Sequence, residues 1–200
     1  LPVLRELVHL HVPLSLDTRR TSVMQAALAE GLVDLINDVS ALEDDGALPL
    51  LAAANVGICL MHKQGNPDTM QQQPSYHSVV DEVGSYLARR VQVCLDAGID
   101  RARLLADPGF GFGKTLEHNL ALLRSLPQLE QEAGVPLLVG LSRKSMLGAI
   151  TGESRADQRL GASIAAALLS AQQGASVIRV HDVNATVQAL QVLRAVQEVR

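Results

Sequence analysis

A chain of 200 residues is long enough for one well-buried core, because a domain of this size hides roughly 70% of the surface that its unfolded form exposes. Hydrophobic residues make up 48% of the sequence but aromatic residues only 2%, so the core must consist of Leu, Val, Ile and Ala. This composition is typical of parallel strands covered by helices. The net charge of -4 comes without a basic stripe for nucleic acid or a polybasic segment for a lipid surface. Nucleic acid and membranes are therefore excluded as expected partners.

The two cysteines, Cys59 and Cys94, lie in apolar runs without the spacing of a disulfide framework or a zinc site. This usage is typical of the reducing cytoplasm, which we expect to be the compartment. No apolar run reaches the roughly 18 residues of a membrane span, and the first residues lack the sections of a signal peptide. Because the sequence starts at Leu1, within an amphipathic helical pattern and without Met, we expect further sequence upstream.

Six short apolar runs recur along the chain, and each is followed by a polar or glycine-rich stretch and then by a helical pattern. This succession predicts β-loop-α units, hence an α/β fold with parallel strands. The predicted strands are residues 12–16, 32–36, 56–61, 103–106, 137–141 and 176–180. The longest predicted helix covers residues 79–97 and ends before Gly98. Since no linker or low-complexity tract interrupts the pattern, residues 1–200 are expected to form a single domain.

Polar side chains stand at the carboxyl end of every predicted strand. In chain order they are Asp17, Asn37-Asp38, His62-Lys63-Gln64, Asp107, Ser142-Arg143-Lys144 and Arg179-Val180-His181-Asp182. Any one of them could be a helix cap or a solvated loop residue. The whole set favours an eight-stranded (β/α) barrel over an open doubly wound sheet. A barrel gathers residues from all its strands on one rim, whereas an open sheet concentrates its site at one switch point.

The most distinctive segment is Asp107-Pro108-Gly109-Phe110-Gly111-Phe112-Gly113-Lys114, in which three alternate glycines let the backbone approach a ligand closely. The carboxylate of Asp107 can accept two parallel N–H bonds, which suits an amino-substituted heterocycle. A nucleotide phosphate loop is disfavoured, because the GxxxxGK[ST] pattern requires glycine where this chain has Pro108. The simplest alternative is a turn-rich loop that caps a strand.

Two further strand ends offer cationic groups. Lys144 lies between a predicted strand and the following helix, whose free backbone N–H groups favour an anion or an electron-rich carbonyl. The alternative is a surface lysine beside a helix cap. Arg179 and His181 alternate in a strand, so they point to the same side and suit a phosphate or pyrophosphate. The alternative for this pair is an ion pair with Asp182.

Two segments with histidine are less decisive. Met61 offers a polarizable wall for a flat ring, but the adjacent His62 has no second ligand at metal spacing. His9 and His11 form an HxH pair at the start of the first predicted strand, away from the predicted site. We therefore expect no metal site at either position.

Taken together, these segments resemble those of the dihydropteroate synthase family over the whole length of the chain. They are Leu16-Asp17-Thr18, Ile36-Asn37-Asp38-Val39, Leu60-Met61-His62, Gln64-Gly65-Asn66-Pro67, residues 107–114, Ser142-Arg143-Lys144-Ser145 and Arg179-Val180-His181-Asp182. The glycine-rich segment and the Ser-Arg-Lys segment are highly specific for this family. The Asp-Thr and Asn-Asp pairs alone are weak.

The resemblance implies a TIM barrel that joins p-aminobenzoate to 6-hydroxymethyl-7,8-dihydropterin pyrophosphate in folate biosynthesis and is a target of sulfonamides. For the pterin it implies Asp17, Asn37, Met61, Asp107 and Lys144. For the pyrophosphate it implies Arg179 and His181, which together with Lys144 are the expected catalytic residues. For the p-aminobenzoate region it implies Phe112 and Ser145.

The resemblance also implies Mg²⁺ on the leaving group, a homodimer, and two barrel strands before the strand of Asp17. The first of those strands carries the asparagine that contacts the metal, so no metal ligand is expected within the present sequence. We expect both strands to lie outside it. Because six strands cannot close an eight-stranded barrel, we expect the 200-residue chain alone to be inactive or poorly stable unless those strands are supplied.

Lys63 stands where apolar residues are common in the family, and Arg19 and Arg20 follow Asp17, which predicts an altered rim. Two other functions stay open. A pterin-binding methyltransferase barrel would share the carboxylate but would not need Arg179 and a histidine for pyrophosphate. A non-catalytic barrel fragment would keep the polar strand ends without turnover.

Overall fold

The computed structural model describes residues 1–65 and 74–199. The strands in this part of the chain are β1 (Ser15–Asp17), β2 (Leu35–Asp38), β3 (Gly57–Met61), β4 (Leu104–Asp107), β5 (Leu138–Val139) and β6 (Val177–Ile178). The α-helices are α1 (Pro2–Leu7), α2 (Thr21–Ala29), α3 (Ala47–Ala53), α4 (Val79–Asp96), α5 (Leu116–Arg124), α6 (Leu126–Ala133), α7 (Ser145–Thr151), α8 (Leu160–Gln172) and α9 (Val183–Glu198). Each of these strands is therefore followed by at least one α-helix, as predicted, with two α-helices after β4 and two after β5.

The strands are parallel and neighbour one another in chain order. β1 to β4 form one sheet, and β5 pairs with β6 in a second. A bridge between Ala106 and Leu137 joins the two sheets, and the Ala106 N–H donates to the Pro136 carbonyl at 3.0 Å. A doubly wound sheet would reverse its order at a switch point, whereas consecutive order is the arrangement of a barrel.

The strand register separates two faces. Ile36, Ile58 and Leu104 are register partners and are almost completely buried, which places them on the face that packs in the core. Because successive side chains of a strand point to opposite faces, Asn37 and Cys59 lie on the other face. Asn37 therefore belongs to a different face from the main apolar layer, whereas Asp38, the next residue, lies on the same face as Ile36.

Helix α4 is the longest helix of the described residues and confirms the prediction for residues 79–97. It packs against α6 at Gly84, where a Cβ atom would collide with the carboxylate of Glu132. The Ser85 hydroxyl donates to that carboxylate at 2.8 Å. Across residues 1–65 and 74–199, no helix has both the length and the apolar content that crossing a membrane requires.

The predicted strand bounds were partly wrong. β1 starts at Ser15 rather than at residue 12, and β5 and β6 have two residues each instead of five. Pairing continues irregularly beyond β6, since the Arg179 N–H donates to the Val139 carbonyl at 2.9 Å. Residues 137–141 are all buried although only two of them pair regularly, whereas Val12 is 53% exposed and lies outside β1.

Candidate active site

Asp17 and Asn37 lie side by side at the ends of β1 and β2, where they are register partners. The Asn37 amide donates to Asp17 Oδ2 at 3.1 Å. Within the part of the chain that the structure describes, the buried Oδ1 atom of Asn37 has no hydrogen-bond partner. A buried acceptor of this kind is costly unless a donor meets it, so it marks a position for a ligand N–H group.

Asp107 ends β4, in register with Met61 at the end of β3, and both side chains are buried. The Asp107 Oδ1 atom accepts the Gly109 N–H at 2.7 Å. Burial raises the pKa of Asp107, and the nearby Lys144 and the same N–H bond oppose that shift. Asp107 and Met61, which were predicted separately as an acceptor for a heterocycle and as a wall for a flat ring, thus end neighbouring strands side by side.

Asp38 does not belong to this arrangement, although it also ends a predicted strand. It is the neighbour of Asn37 and points to the opposite face. Its two carboxylate oxygens accept the N–H groups of Ser40 at 2.7 Å and Leu42 at 2.8 Å. Asp38 therefore stabilises the loop after β2, in which Ala41 and Leu42 adopt positive φ.

The glycine-rich loop packs directly on the loop that follows β3. A Cβ atom on Gly109 would overlap the His62 carbonyl, and one on Gly113 would lie 2.5 Å from the Gln64 carbonyl. Both glycines have positive φ, at 69° and 66°. The glycines therefore serve close contact between two loops, in addition to the approach to a ligand that the sequence predicted.

Lys144 reaches across to this loop from the end of the next strand unit. Its Nζ atom lies 4.7 Å from the centre of the Phe112 ring and donates to the Phe110 carbonyl. Burial lowers the pKa of Lys144 to about 8, Asp107 opposes that shift, and Arg179 adds to it. The structure thus places Lys144 between the buried carboxylate and Phe112.

Arg179 and His181 line one cavity of about 650 Å³, which confirms that they converge. The other residues that line it are Gly140, Ser142, Arg143, Lys144, Ala156 and Val180. A Cβ atom on Gly140 would lie 3.2 Å from the Arg179 guanidinium, so glycine makes room for it. Arg179 also lies 3.6 Å from Asp17, and His181 Nδ1 lies 3.0 Å from the Ser142 hydroxyl.

An ion pair of Arg179 with Asp182 was the alternative to an anion site, but Asp182 pairs with a different arginine. Asp182 pairs with Arg143, whose guanidinium donates two hydrogen bonds of 3.1 Å and 2.7 Å to the carboxylate. This contact lowers the pKa of Asp182. Arg179 is thereby left to face the cavity.

The other residues that the sequence analysis considered are less central or fall outside the described part of the chain. Ser145 is the first residue of α7, is exposed and does not line the 650 Å³ cavity. Asn66 and Pro67, which took part in the sequence resemblance, lie outside the described residues. The histidines at positions 9 and 11 are exposed and remote from this rim, and the described residues hold no group of three His, Cys, Asp or Glu that could bind a metal.

Sequence reasoning missed the role of Lys114, which it considered as the last residue of the glycine-rich segment and as part of a rejected phosphate loop. Its side chain is buried, and its Nζ atom lies 2.9 Å from His62 Nδ1. The sequence feature that could have indicated this role is the position of Lys114 directly after the third glycine of the loop. Thr115, the next residue, caps α5 by accepting the His118 N–H at 3.2 Å.

Comparison with known proteins identifies the family. The model of the family described as pterin binding enzyme matches residues 1–181. Dihydropteroate synthase of Neisseria meningitidis serogroup B is 56% identical over 197 residues, which are 97% of this chain and 69% of that protein.

Solved structures agree with that match and confirm the predicted barrel fold. Dihydropteroate synthase from Xanthomonas albilineans in complex with 7,8-dihydropteroate is 48% identical, with a TM-score of 0.92 over 100% of this chain and 74% of that one. The enzyme from Stenotrophomonas maltophilia with imidazole in its active site is 46% identical, with a TM-score of 0.95 over 100% of this chain and 75% of that one. The chain therefore belongs to the pterin-binding enzyme family and, within it, to the dihydropteroate synthases.

Proposed function

We propose that the complete protein condenses 6-hydroxymethyl-7,8-dihydropterin pyrophosphate with p-aminobenzoate to give 7,8-dihydropteroate and pyrophosphate. Family membership supports this reaction, and the relative from Xanthomonas albilineans holds 7,8-dihydropteroate in its structure. The observation that carries the proposal is the composition of one rim. Buried acceptors from β2 and β4 face basic residues from the ends of β5 and β6.

One side of the rim, the acceptor side formed by Asn37 and Asp107, suits the polar edge of a pterin. The pterin presents an amino group and ring N–H groups, and the buried Asn37 Oδ1 and the Asp107 carboxylate are acceptors for such donors. We assign Asp17 the task of orienting the Asn37 amide, because it accepts the amide N–H. Met61 is buried in register with Asp107 and supplies an apolar surface for the flat ring.

The other side of the rim, the basic side formed by Lys144, Arg179 and His181, suits the pyrophosphate leaving group. When the bond between the pterin methylene carbon and oxygen breaks, the electron pair stays on the pyrophosphate, whose negative charge increases. Arg179, His181 and Lys144 line the same cavity and stabilise that charge. The electron-deficient methylene then accepts the lone pair of the p-aminobenzoate amine, which loses a proton, so no protein nucleophile is required.

For p-aminobenzoate we propose the region around Phe112, whose ring lies beside Lys144 and can pack on the aromatic acid. Ser145 is exposed at the start of α7, so its hydroxyl is accessible to a carboxylate there. Both assignments rest on the family resemblance together with these positions.

The described residues do not fit a protein-held Mg²⁺ ion. This ion prefers carboxylate and other oxygen ligands, whereas the leaving-group side presents Arg179, His181 and Lys144. We therefore propose that Mg²⁺ enters as the counter-ion of the pyrophosphate substrate. A homodimer, a cytoplasmic location and a single domain over residues 1–200 likewise stay predictions.

A pyrophosphate-release assay on the complete protein, with and without p-aminobenzoate, tests the reaction. Release that depends on p-aminobenzoate supports it, and transfer of a methyl group or release that ignores p-aminobenzoate contradicts it. Arg179→Gln should lower kcat/KM for the pterin pyrophosphate about 100-fold, while Arg179→Lys should lose less because the charge stays. Arg194→Gln is a matched control, since this exposed arginine pairs only with Glu198 one helical turn away among the described contacts.

A further inference from the structure

The ammonium of Lys114 has three acceptors inside the protein. Its Nζ atom lies 2.9 Å from His62 Nδ1, 3.0 Å from the Gly109 carbonyl oxygen and 3.1 Å from that of Phe112. Lys114 is only 4% exposed. Because an ammonium group has three donors and no acceptor, these contacts use its full capacity and require the lone pair of His62 at Nδ1.

The three acceptors belong to two different loops. His62 follows β3, whereas Gly109 and Phe112 belong to the glycine-rich loop after β4. The same two loops meet at Gly113, whose carbonyl accepts the Tyr76 hydroxyl at 2.9 Å. Lys114 therefore fixes both ends of the Gly109–Phe112 turn to each other and to the neighbouring loop.

The fixed turn carries two contacts of Lys144. The Phe110 carbonyl accepts a hydrogen bond from Lys144, and the Phe112 ring lies 4.7 Å from its Nζ atom. A shift of this turn would displace the aromatic ring and the lysine together. It would disturb Asn37 less, because Asn37 lies on β2 and is held by Asp17.

We propose that Lys114 is a positioning residue that presets the glycine-rich turn, and with it Phe112 and Lys144, for p-aminobenzoate. This inference rests on the proposed function and deepens it. Lys114 touches neither substrate in this arrangement, and it acts through the carbonyls of Gly109 and Phe112. The glycine-rich loop is then a preorganised wall of the second substrate's site rather than a flexible cover.

Because Lys114 is buried, its hydrogen bonds to the two loops are sensitive to pH. Burial lowers the pKa of Lys114 to about 7, with Asp107 opposing the shift and Lys144 adding to it. Burial and the Lys114 charge lower the pKa of His62 to about 3, so His62 stays a neutral acceptor near neutrality. Tyr76 and Tyr86 pack on the His62 ring, and burial raises the pKa of both, that of Tyr76 to about 12, so they do not titrate in this range. As pH rises above 7, the loss of one donor should loosen the turn.

The test compares Lys114→Met with the unchanged complete protein, measuring KM for each substrate and the direct binding of the pterin alone by calorimetry. We expect KM for p-aminobenzoate to rise about 10-fold, with pterin affinity within about 2-fold. The rise in that KM between pH 6.5 and 8 should be smaller in the variant than in the parent. Arg124→Met, which removes an exposed cation from the last turn of α5, should leave both KM values unchanged.

A second pair of variants keeps the inference testable where Lys114→Met does not fold. His62→Asn retains an acceptor near the position of Nδ1 and should keep KM for p-aminobenzoate close to that of the parent, whereas His62→Leu should raise it. Equal losses in KM for p-aminobenzoate and in the affinity for the pterin without its pyrophosphate, or no change in either, would overturn the positioning role. An unchanged protein that releases no pyrophosphate with p-aminobenzoate would instead refute the proposed function itself.

Discussion

The two sides of the site differ in charge and in burial. The acceptor side, formed by Asn37 and Asp107, is 3% and 2% exposed and lies in the four-stranded sheet. On the basic side, the side chain of Arg179 is 47% exposed, and His181 is exposed as well. One side is thus part of the core, and the other is part of an open cavity.

This difference suggests that the two sides recognise their ligands by different physics. A buried acceptor left without its donor loses a full hydrogen bond, so the buried side can discriminate between heterocycles by direction and distance. An exposed arginine acts largely through charge, which water and salt weaken. We therefore expect the acceptor side to determine which ring binds, and the basic side to govern how its leaving group departs.

The largest effect should come from the acceptor side. Asp107→Asn preserves the shape and can still accept the Gly109 N–H, but it replaces one acceptor oxygen with a donor that faces the pterin's own donors. We expect kcat/KM for the pterin pyrophosphate to fall about 10²–10³-fold, as is typical for the loss of a charge-assisted hydrogen bond in a buried site. Steady-state kinetics at two salt concentrations would measure it, and the loss should hardly depend on salt.

Asp38→Asn is the matched control for that prediction. Asp38 is a buried carboxylate at the adjacent position, but on the opposite face, where its hydrogen bonds within residues 1–65 and 74–199 come from backbone N–H groups of its own loop. Its replacement should lower the melting temperature without a selective loss of pterin affinity. If both variants lose pterin affinity equally, the two faces of β2 do not divide function and structure as proposed.

Lys144 lies between the two sides, and the loss of its charge should have a smaller effect on kcat/KM that depends on pH. Its pKa, lowered to about 8 by burial, means that the ammonium is present below that pH and disappears above it. We expect kcat/KM to fall up to about tenfold per pH unit above 8, and Lys144→Arg to move that decline to higher pH. A profile that is identical in the two proteins would contradict this assignment.

A loss of activity through unfolding can be distinguished from one through the titration of Lys144, because this titration lowers activity but raises stability as pH increases. Since the folded pKa of Lys144 lies below the unfolded value of 10.5, the unfolded chain binds more protons between about pH 8 and 10.5. The contribution of this group to stability therefore increases with pH in that window. Activity lost above pH 8 with unchanged or higher resistance to urea would come from the site itself.

The parts of the site that could be predicted from sequence are those governed by alternation and by strand ends. Asp17, Asn37 and Asp107 were expected on one rim and lie there, because each ends a parallel strand of one sheet. Arg179 and His181 were expected to point the same way and line one cavity. Alternation suffices for Asp17, Asn37 and Asp107, which are strand residues, whereas Arg179 and His181 lie beyond the last residue of β6 and still line one cavity.

Other parts depend on contacts between distant loops and had no local signal. The burial of Lys114 follows from His62, 52 positions away in the chain, and lysine is rarely buried without a charged partner. The Arg143–Asp182 pair spans 39 positions and removes the ion pair that the neighbouring Arg179 was thought able to form. Side-chain partners of this kind are set by the packing of the loops, which periodicity does not encode.

The smallest expected effect concerns how the exposed basic side is held in place. The half-buried Arg159 donates to the carbonyls of Arg143 and Glu153 at 2.9 Å each and of Ser154 at 2.6 Å. Arg159→Met should lower the free energy of unfolding by about 1–2 kcal/mol, because water can replace only part of these bonds, and kcat/KM should fall less than 10-fold. Urea denaturation would measure it, with Arg155→Met as a control that removes an exposed pair with Asp157. A loss of activity as large as that of Asp107→Asn would show that the basic side depends on its backbone support as strictly as the buried side depends on its acceptors.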